Sequence, residues 1–132
     1  MSSVPALVVD TADPTPPYEQ LRRQLADLIS TGVLEADTRL PPLRQLAADL
    51  GLAVGTVART YRELEVAGLV VSRRGGGTKV SAGVIRRSAA DVARAIDDAA
   101  EALVRAALLL GANGDDVRAA VGRALATRAR VG

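Results

Sequence analysis

Apolar residues recur every three or four positions over long parts of the chain, and glycines and prolines separate these parts. That spacing places the apolar residues on one face of an α-helix. The first such stripe predicts a helix over 18–30, with Pro17 in its first turn and Gly32 as a left-handed residue behind its end. The apolar positions of this stripe are Tyr18, Leu21, Leu25, Leu28 and Ile29.

Two shorter apolar stripes follow, separated by one glycine. The first begins at a pair of prolines and predicts a helix over about 42–49, which Gly51 ends. The second predicts a helix over about 55–67, which Gly68 stops. The apolar face of this third helix consists of Val57, Tyr61 and Leu64. Two short helices joined by a turn that contains a glycine predict a helix-turn-helix.

The periodicity then changes to two short strand-like runs, 69–72 and 78–80. The stretch between them, Arg73–Gly77, ends in three consecutive glycines and predicts the turn of a β-hairpin, with Gly76 at its tip. Three helices followed by such a hairpin are typical of a winged helix-turn-helix, in which the hairpin is the wing.

Cations surround the glycines of this hairpin, although a bare turn does not need them. Arg73, Arg74 and Lys79 flank the glycine run. Glycine lets a backbone approach another molecule without a Cβ clash, and neighbouring cations attract negative charge. We therefore expect the wing to lie against something negatively charged.

The C-terminal part repeats apolar residues in alternating steps of four and three, as in a coiled-coil seam. It predicts a long helix over about 89–110, in which Ser88 and Asp91 resemble a capping box. Gly111 ends this helix, and a last helix restarts at Asn113 or Gly114. The seam of the long helix consists of Val92, Ile96, Ala99, Leu103, Ala106 and Leu110. The last helix is lined by Val117, Val121 and Leu125.

These two helices cannot bury their apolar stripes as a lone pair. A second copy of the chain is the simplest cover and predicts a homodimer with two-fold symmetry; the alternative is that both helices fold back onto the first domain. The predicted fold is mainly α, a winged helix-turn-helix followed by an α-helical dimerisation hairpin. Its parts are an extended arm or short strand (1–15), the winged domain (16–80), a linker (81–88) and the dimerisation region (89–132).

Composition narrows the chemistry of such a fold. The 132 residues include no cysteine and no histidine, which excludes disulfides, Cys/His zinc sites and the commonest acid–base catalyst. Asp97, Asp98, Asp115 and Asp116 could in principle bind Mg²⁺. However, adjacent carboxylates on a helix point in different directions, and the helix dipole explains those at a helix start. We expect no catalysis and no cofactor.

The formal net charge is only +2, so the local placement of arginines carries more information about partners than the total charge. The N-terminus lacks the basic and apolar regions of a signal peptide. No apolar run approaches the ~18 residues of a membrane span. We expect a cytoplasmic protein.

Several short motifs occur in a fixed order within residues 16–80. They are YEQL at 18–21, LPPLRQLA at 40–47, LG at 50–51, TV at 56–57, LEVAGL at 64–69 and GTKV at 77–80. This combination resembles the DNA-binding domain of the GntR family of bacterial transcription regulators. The short two-helix segment behind the wing resembles the YtrA-type subgroup, in which such a segment serves for dimerisation. The resemblance implies a homodimeric regulator of double-stranded DNA, usually a repressor, on an inverted-repeat operator.

The resemblance also implies that the third helix enters the major groove and that the wing reaches the minor groove or the phosphates. Arg59 is preferred over Arg62 on the DNA-facing side. The run 53–55 is apolar where the family usually has polar side chains, so Val54 is expected to touch thymine methyl groups. The expected DNA-contacting residues are Arg44, Val54, Gly55, Thr56, Arg59, Arg73, Arg74, Gly76 and Lys79.

Two questions stay open from the sequence. The apolar run 53–55 and the low net charge also suit a winged-helix module that binds another protein. A small-molecule effector is the second open question, although the short C-terminal helices leave little room for an enclosed pocket of ~300 Å³.

Overall fold

The computed structural model describes residues 7–131, and the chain divides into two compact units, one ending at Arg87 and one beginning at Ser88. The first unit contains the elements α1 (Pro17–Ser30), α2 (Leu43–Leu50), α3 (Val54–Val66), β1 (Val70–Arg73) and β2 (Gly77–Val80). The second unit contains α4 (Ala89–Leu109) and α5 (Gly114–Val131). The predicted fold, a winged helix-turn-helix followed by a helical hairpin, is confirmed.

The core of the first unit is built from aliphatic side chains of every element in it, together with Tyr61. The predicted stripes of α1, α2 and α3 face one another, and the first residue of β1 and the last of β2 close the core from the wing side. Fully burying one such side chain stabilises a fold by about 1.5–3 kcal/mol. The buried set is Leu21, Leu25, Ile29, Leu34, Leu40, Leu46, Ala47, Val57, Tyr61, Leu64, Val70 and Val80.

Two buried hydroxyl groups connect α3 to its neighbours. The Thr60 hydroxyl donates to the backbone carbonyl of Tyr18 at 2.9 Å, which joins α3 to the start of α1. The Tyr61 hydroxyl donates to the carbonyl of Pro41 at 2.7 Å, just before α2. Burial raises the pKa of Tyr61, so this hydroxyl stays protonated and remains a donor.

The turn between α2 and α3 depends on one left-handed residue. Gly51 has φ +67° and caps α2, and the Leu52 N–H donates to the Ala47 carbonyl at 2.9 Å. A residue with a side chain is strained at this φ, whereas glycine is not. Gly51 therefore allows the chain to reverse and α3 to start three residues later.

The wing contains a third extended segment that the sequence did not predict. β1 and β2 pair in antiparallel register, with Val70 opposite Val80. Residues 37–40 add to the other edge of β2, where the Asp37 N–H donates to the Val80 carbonyl at 2.9 Å and the Leu40 N–H to the Thr78 carbonyl at 2.8 Å. This segment shows no strand pattern in the sequence because it is short and is followed by prolines.

Residues 81–87, predicted as part of a linker, pack against the first unit instead. The Ser81 N–H donates to the Leu69 carbonyl at 2.9 Å, and Val84 packs against the core. At the end of the segment, the Arg87 guanidinium lies 2.6 Å from the carboxylate of Asp27 in α1. Backbone hydrogen bonds at both ends, one apolar side chain and one ion pair thus attach a segment whose composition is typical of a linker.

The predicted N-terminal arm is described from residue 7 onwards, and residues 1–6 lie outside the described part. Residues 7–10 form no strand. Their backbone pairs with two glutamine side chains of α1: Gln24 exchanges hydrogen bonds with the N–H and C=O of Val8, and Gln20 does the same with Asp10. Side-chain amides therefore replace a strand partner.

The second unit is an α-helical hairpin with a well-capped turn. The Ser88 hydroxyl accepts the Asp91 N–H at 3.1 Å, as predicted. At the start of α5, Asn113 and Asp116 each accept the other's backbone N–H at 2.9 Å, a reciprocal capping box. Within residues 7–131, no helix is long and apolar enough to cross a membrane.

Candidate nucleic-acid interface

The start of α3 presents small and apolar side chains to solvent. Ala53 precedes α3 without a side-chain cap, and Val54 keeps 40% of its surface exposed. No atom lies within 4 Å of the position that a Cβ on Gly55 would occupy. Thr56 is half-buried. Another molecule can approach the backbone here closely, and the exposed methyl groups of Val54 suit an apolar partner such as a thymine methyl group.

Arg44 lies in the first turn of α2 and is exposed. α2 packs directly against α3. The two predicted major-groove contributors, Arg44 and the start of α3, therefore belong to one rigid helix pair.

Arg59, which is predicted from the sequence to contact DNA, already makes side-chain contacts within the fold. Its guanidinium carbon stacks 3.6 Å from the ring centroid of Tyr18, and its Nε lies 3.7 Å from the Glu63 carboxylate. Arg62 is exposed and takes part in none of the ion pairs found among residues 7–131. It lies about two helical turns beyond Gly55 on the same face of α3. Arg62 is thus the more available arginine.

A charge network ties the exposed surfaces of α1 and α3 together. The Glu19 carboxylate accepts hydrogen bonds from Arg22 at 2.6 Å and from Arg23 at 2.8 Å. The hydrogen bond from Arg22 is the main reason why the pKa of Glu19 falls to about 2. Arg22 also reaches Glu63 of α3 at 4.0 Å. These two α1 arginines are neutralised within the fold and are poor candidates for phosphate contact.

The wing carries its three predicted cations, Arg73, Arg74 and Lys79, in exposed positions. Its turn comprises Arg74, Gly75 and Gly76, and Arg73 pairs with Gly77 across it.

The prediction that Gly76 forms the tip of the wing is wrong. The middle residue of the turn is Gly75, which has φ +77° and no neighbouring atom within 4 Å of a Cβ position. Gly76 is half-buried, and its carbonyl accepts hydrogen bonds from Arg39. The position of the tip depends on the strand register, which the glycine run leaves ambiguous.

Arg39 is a site residue that no sequence pattern predicted. It stands in segment 37–40, and its side chain spans from there to the turn of the wing. Nothing in the local sequence distinguishes it from a surface arginine, because the contact depends on the pairing of segment 37–40 with β2.

An open groove of about 530 Å³ lies between the wing and the segment that leads into α2. Pro41 and Tyr61 contribute apolar surface to its lining, and Arg39 and Arg73 contribute positive charge. Such a lining suits a polyanion whose backbone combines apolar and charged parts, as the sugar–phosphate backbone does.

The predicted dimer seam is exposed on the second unit. Among its members, Val92 and Val117 are half-buried. The others remain exposed: Ile96, Ala99, Leu103, Ala106, Leu110, Val121 and Leu125. Among the side chains of this hairpin that the structure describes, the buried one is Ala107, next to the predicted position Ala106. A groove of about 570 Å³ on this unit is lined by α4 alone, so it is a surface concavity and not an enclosed pocket.

Comparison with known proteins identifies this domain. Residues 17–80 match the family model described as bacterial regulatory proteins, gntR family. The HTH-type transcriptional regulator Rv1152 of Mycobacterium tuberculosis is 48% identical over 75 residues, which are 57% of this chain and 62% of that protein. The chain therefore matches less than two thirds of the length of this relative.

Solved structures share the fold. YtrA from Sulfolobus acidocaldarius, a GntR-family transcription factor, is 29% identical with a TM-score of 0.53, over 73% of this chain and 97% of that chain. The DNA-binding domain of AraR, solved in complex with operator ORX1, is 28% identical with a TM-score of 0.52, over 57% of this chain and 96% of that chain.

The fold and the site define a winged helix-turn-helix domain of the kind found in transcription regulators. More specifically, the chain belongs to the GntR family and is of the YtrA type.

Proposed function

We propose that this protein is a sequence-specific regulator of transcription in the cytoplasm, a repressor that binds an inverted-repeat operator as a homodimer. The observation that carries the proposal is the combination, within one winged unit, of an exposed α3 start and a wing with three exposed cations. The operator complex of the similar AraR domain supports DNA as the partner.

In the proposed complex, α3 enters the major groove and the wing follows the adjacent backbone or minor groove. Val54 and Gly55 approach the base edges, and Val54 contacts thymine methyl groups. Arg44 reaches a guanine edge or a nearby phosphate. Arg73, Arg74 and Lys79 hold phosphates, which positions the protein without reading sequence.

A second copy of the chain is the proposed cover for the exposed apolar seam of α4 and α5. Leu103 and Leu125 keep 43% and 67% of their surface in contact with solvent in the single chain. Burying such side chains against their symmetry mates is favourable at ~25 cal/mol per Å² of apolar surface. A two-fold dimer presents two α3 helices, so the operator is expected to be an inverted repeat. Occupation of a promoter by this dimer would exclude the polymerase.

The proposal is tested by a mobility-shift assay with the DNA upstream of the protein's own gene, followed by footprinting. We expect a protected inverted repeat and binding that weakens as salt increases. Absence of binding to any double-stranded fragment at low salt would instead favour the protein-binding alternative, for which the exposed Val54, Val66 and Val71 would form the contact surface.

The role of the wing is tested by replacing both Arg73 and Arg74 with alanine. The logarithm of the binding constant K falls linearly with the logarithm of the salt concentration, and each lost phosphate contact makes this slope shallower by ~0.9. We therefore expect uniformly weaker binding to all sequences and a flatter salt dependence, measured by fluorescence anisotropy at several salt concentrations. The matched control replaces Arg94 and Arg118 of the second unit, which removes the same charge and should leave the slope nearly unchanged. An unaltered slope in the wing variant would show that Arg73 and Arg74 do not contact the phosphates of the DNA.

A further inference from the structure

Two side chains connect the wing to the helix-turn-helix: the Glu65 carboxylate of α3 accepts the Ser72 N–H of β1 at 3.0 Å, and Arg39 reaches the turn. The Nε and Nη2 atoms of Arg39 both donate to the carbonyl oxygen of Gly76, at 3.1 and 2.6 Å. Hydrogen bonds from a guanidinium are stronger than those between neutral groups, and a rigid fork loses little entropy when it binds. Arg39 therefore holds the turn of the wing from outside the hairpin.

The backbone around Arg39 is itself fixed to the sheet. The Leu40 N–H donates to the Thr78 carbonyl at 2.8 Å, and the Val80 N–H donates to the Thr38 carbonyl at 2.9 Å. Leu40 is buried in the core, and α2 begins three residues later. Because the backbone of Arg39 is fixed next to the helix-turn-helix, its guanidinium fixes the turn of the wing relative to the helix-turn-helix.

The third glycine of the run provides the room for this contact. A Cβ on Gly77 would lie 3.1 Å from the Nε of Arg39, closer than almost all real contacts, and the φ of Gly77 is +71°. Gly75 has a similar φ of +77°, but no atom lies near its Cβ position. Both glycines thus have a left-handed φ, but only Gly77, in β2, has Arg39 beside its Cβ position.

We propose that Arg39 is the positioning residue of the wing: it orders the turn 74–76 before DNA arrives, so that Arg73 and Arg74 already face the duplex. A glycine-rich turn without this contact would have to be ordered at the moment of binding, which reduces affinity. This inference rests on the proposed DNA-binding function only in its second consequence. Its first consequence, order of the free wing, does not require DNA.

The first experiment therefore uses the full-length protein without DNA. Heteronuclear ¹⁵N relaxation is measured for the amides of Gly75, Gly76 and Gly77 in the wild type and in the Arg39→Gln and Arg39→Lys variants. We expect clearly greater fast motion in Arg39→Gln and an intermediate effect in Arg39→Lys, because an ammonium cannot reproduce the two-pronged contact. Unchanged relaxation in Arg39→Gln would overturn the proposal. The matched control is Arg74→Gln, which removes the same charge from the wing and should leave these amides unaffected.

The second experiment separates positioning from direct phosphate binding. We expect Arg39→Gln to weaken binding about tenfold while the slope of log K against log salt stays within a few tenths of the wild-type value. Arg74→Gln should show the opposite pattern, with a slope reduced by ~0.9 and an ordered wing. A slope reduced by that amount in Arg39→Gln, together with unchanged relaxation, would identify Arg39 as an ordinary phosphate contact. If the wild type binds no DNA, the proposed function fails, and the relaxation data still decide whether Arg39 orders the wing.

A double-mutant cycle tests the role assigned to Gly77. Gly75→Ala and Gly77→Ala impose a similar backbone strain, but only the latter meets the side chain of Arg39. We expect the effect of Gly77→Ala on wing relaxation to shrink in the Arg39→Gln background and that of Gly75→Ala to persist. Equal effects in both backgrounds for both glycines would contradict the contact between Arg39 and the turn.

Discussion

The arginines of the first unit divide into those engaged within the fold and those available to a partner. Arg22 and Arg23 pair with Glu19, and Arg59 stacks on Tyr18. In contrast, Arg44, Arg62, Arg73 and Arg74 are exposed and appear in none of the ion pairs within the described chain. A residue type and a helix position are therefore insufficient to assign a DNA contact, since the neighbours decide which cations are free.

This division predicts different behaviour for the two arginines of α3. We expect Arg62→Gln to weaken DNA binding about five- to tenfold without changing stability, because it removes a free cation. Arg59→Gln should lower the free energy of unfolding by up to about 1 kcal/mol, since it loses an exposed cation–π contact and a weak ion pair. Binding constants at one salt concentration and urea unfolding measure the two effects. A greater loss of affinity in Arg59→Gln at unchanged stability would instead favour Arg59, the residue predicted from the sequence, as the DNA contact.

Glu19 predicts a pH dependence of stability. Its pKa is lowered from 4.5 to about 2, chiefly by the hydrogen bond from Arg22. A carboxylate with a lowered pKa in the folded state stabilises the fold above pH ~4.5, and this contribution is lost as the pH falls towards 2. We expect the wild type to be more stable than Glu19→Gln at pH 6 and the difference to shrink between pH 4.5 and 2. Thermal midpoints of both proteins over this range provide the measurement, and a constant difference would rule out this linkage.

At the scale of elements, most of the helix and strand boundaries follow from local signals. The predicted helices 18–30, 42–49 and 55–67 are observed as Pro17–Ser30, Leu43–Leu50 and Val54–Val66. Prolines and glycines mark these ends because they restrict or permit particular φ values wherever they occur. The contacts between elements had no such local signal. Segment 37–40 became a strand partner, and residues 81–87 docked on α1, only because distant backbone and side-chain groups were brought beside them.

The hydroxyl of Tyr61 predicts how strongly α3 depends on its neighbour. Tyr61→Phe removes the donor to Pro41 and leaves a buried carbonyl without a partner, which costs about 1–3 kcal/mol. We expect that loss in the free energy of unfolding, measured by urea denaturation of the full chain. Tyr18→Phe is the control: the Tyr18 ring stays under Arg59, and a change within ±0.5 kcal/mol is typical of such a partly exposed site. Equal effects of both variants would argue against the buried hydrogen bond.

At the scale of the whole molecule, the second unit contains more exposed apolar surface than a helical hairpin of its own can cover. The heptad-like spacing predicted this face, and most of its residues are exposed in the single chain. Leu109 is also exposed, at 85%, but it lies on α4 outside the predicted seam. The same substitution can therefore be compared at Leu103, on the seam, and at Leu109, outside it.

We expect Leu103→Asp to convert the proposed dimer into a monomer and Leu109→Asp to leave the proposed dimer intact. A carboxylate buried at a dimer interface without a partner is strongly unfavourable, so a rise of at least about 100-fold in the dissociation constant is expected, equivalent to about 3 kcal/mol. Analytical ultracentrifugation measures the mass, and circular dichroism verifies that both variants keep their helices. A dimer that survives Leu103→Asp, or that Leu109→Asp disrupts equally, would place the interface elsewhere.

The sequence by itself determined the helices, the hairpin, the order of the motifs and the apolar stripes. Each of these depends on residues within a few positions of one another, through helix periodicity, φ preferences and local caps. Only the tertiary structure decided that Gly75 forms the tip of the wing, that Arg59 is engaged, that residues 81–87 are docked, and that Arg39 reaches Gly76. The tip follows from the strand register, whereas the other features join residues far apart in the chain, whose geometry exists only once the core has brought the elements together.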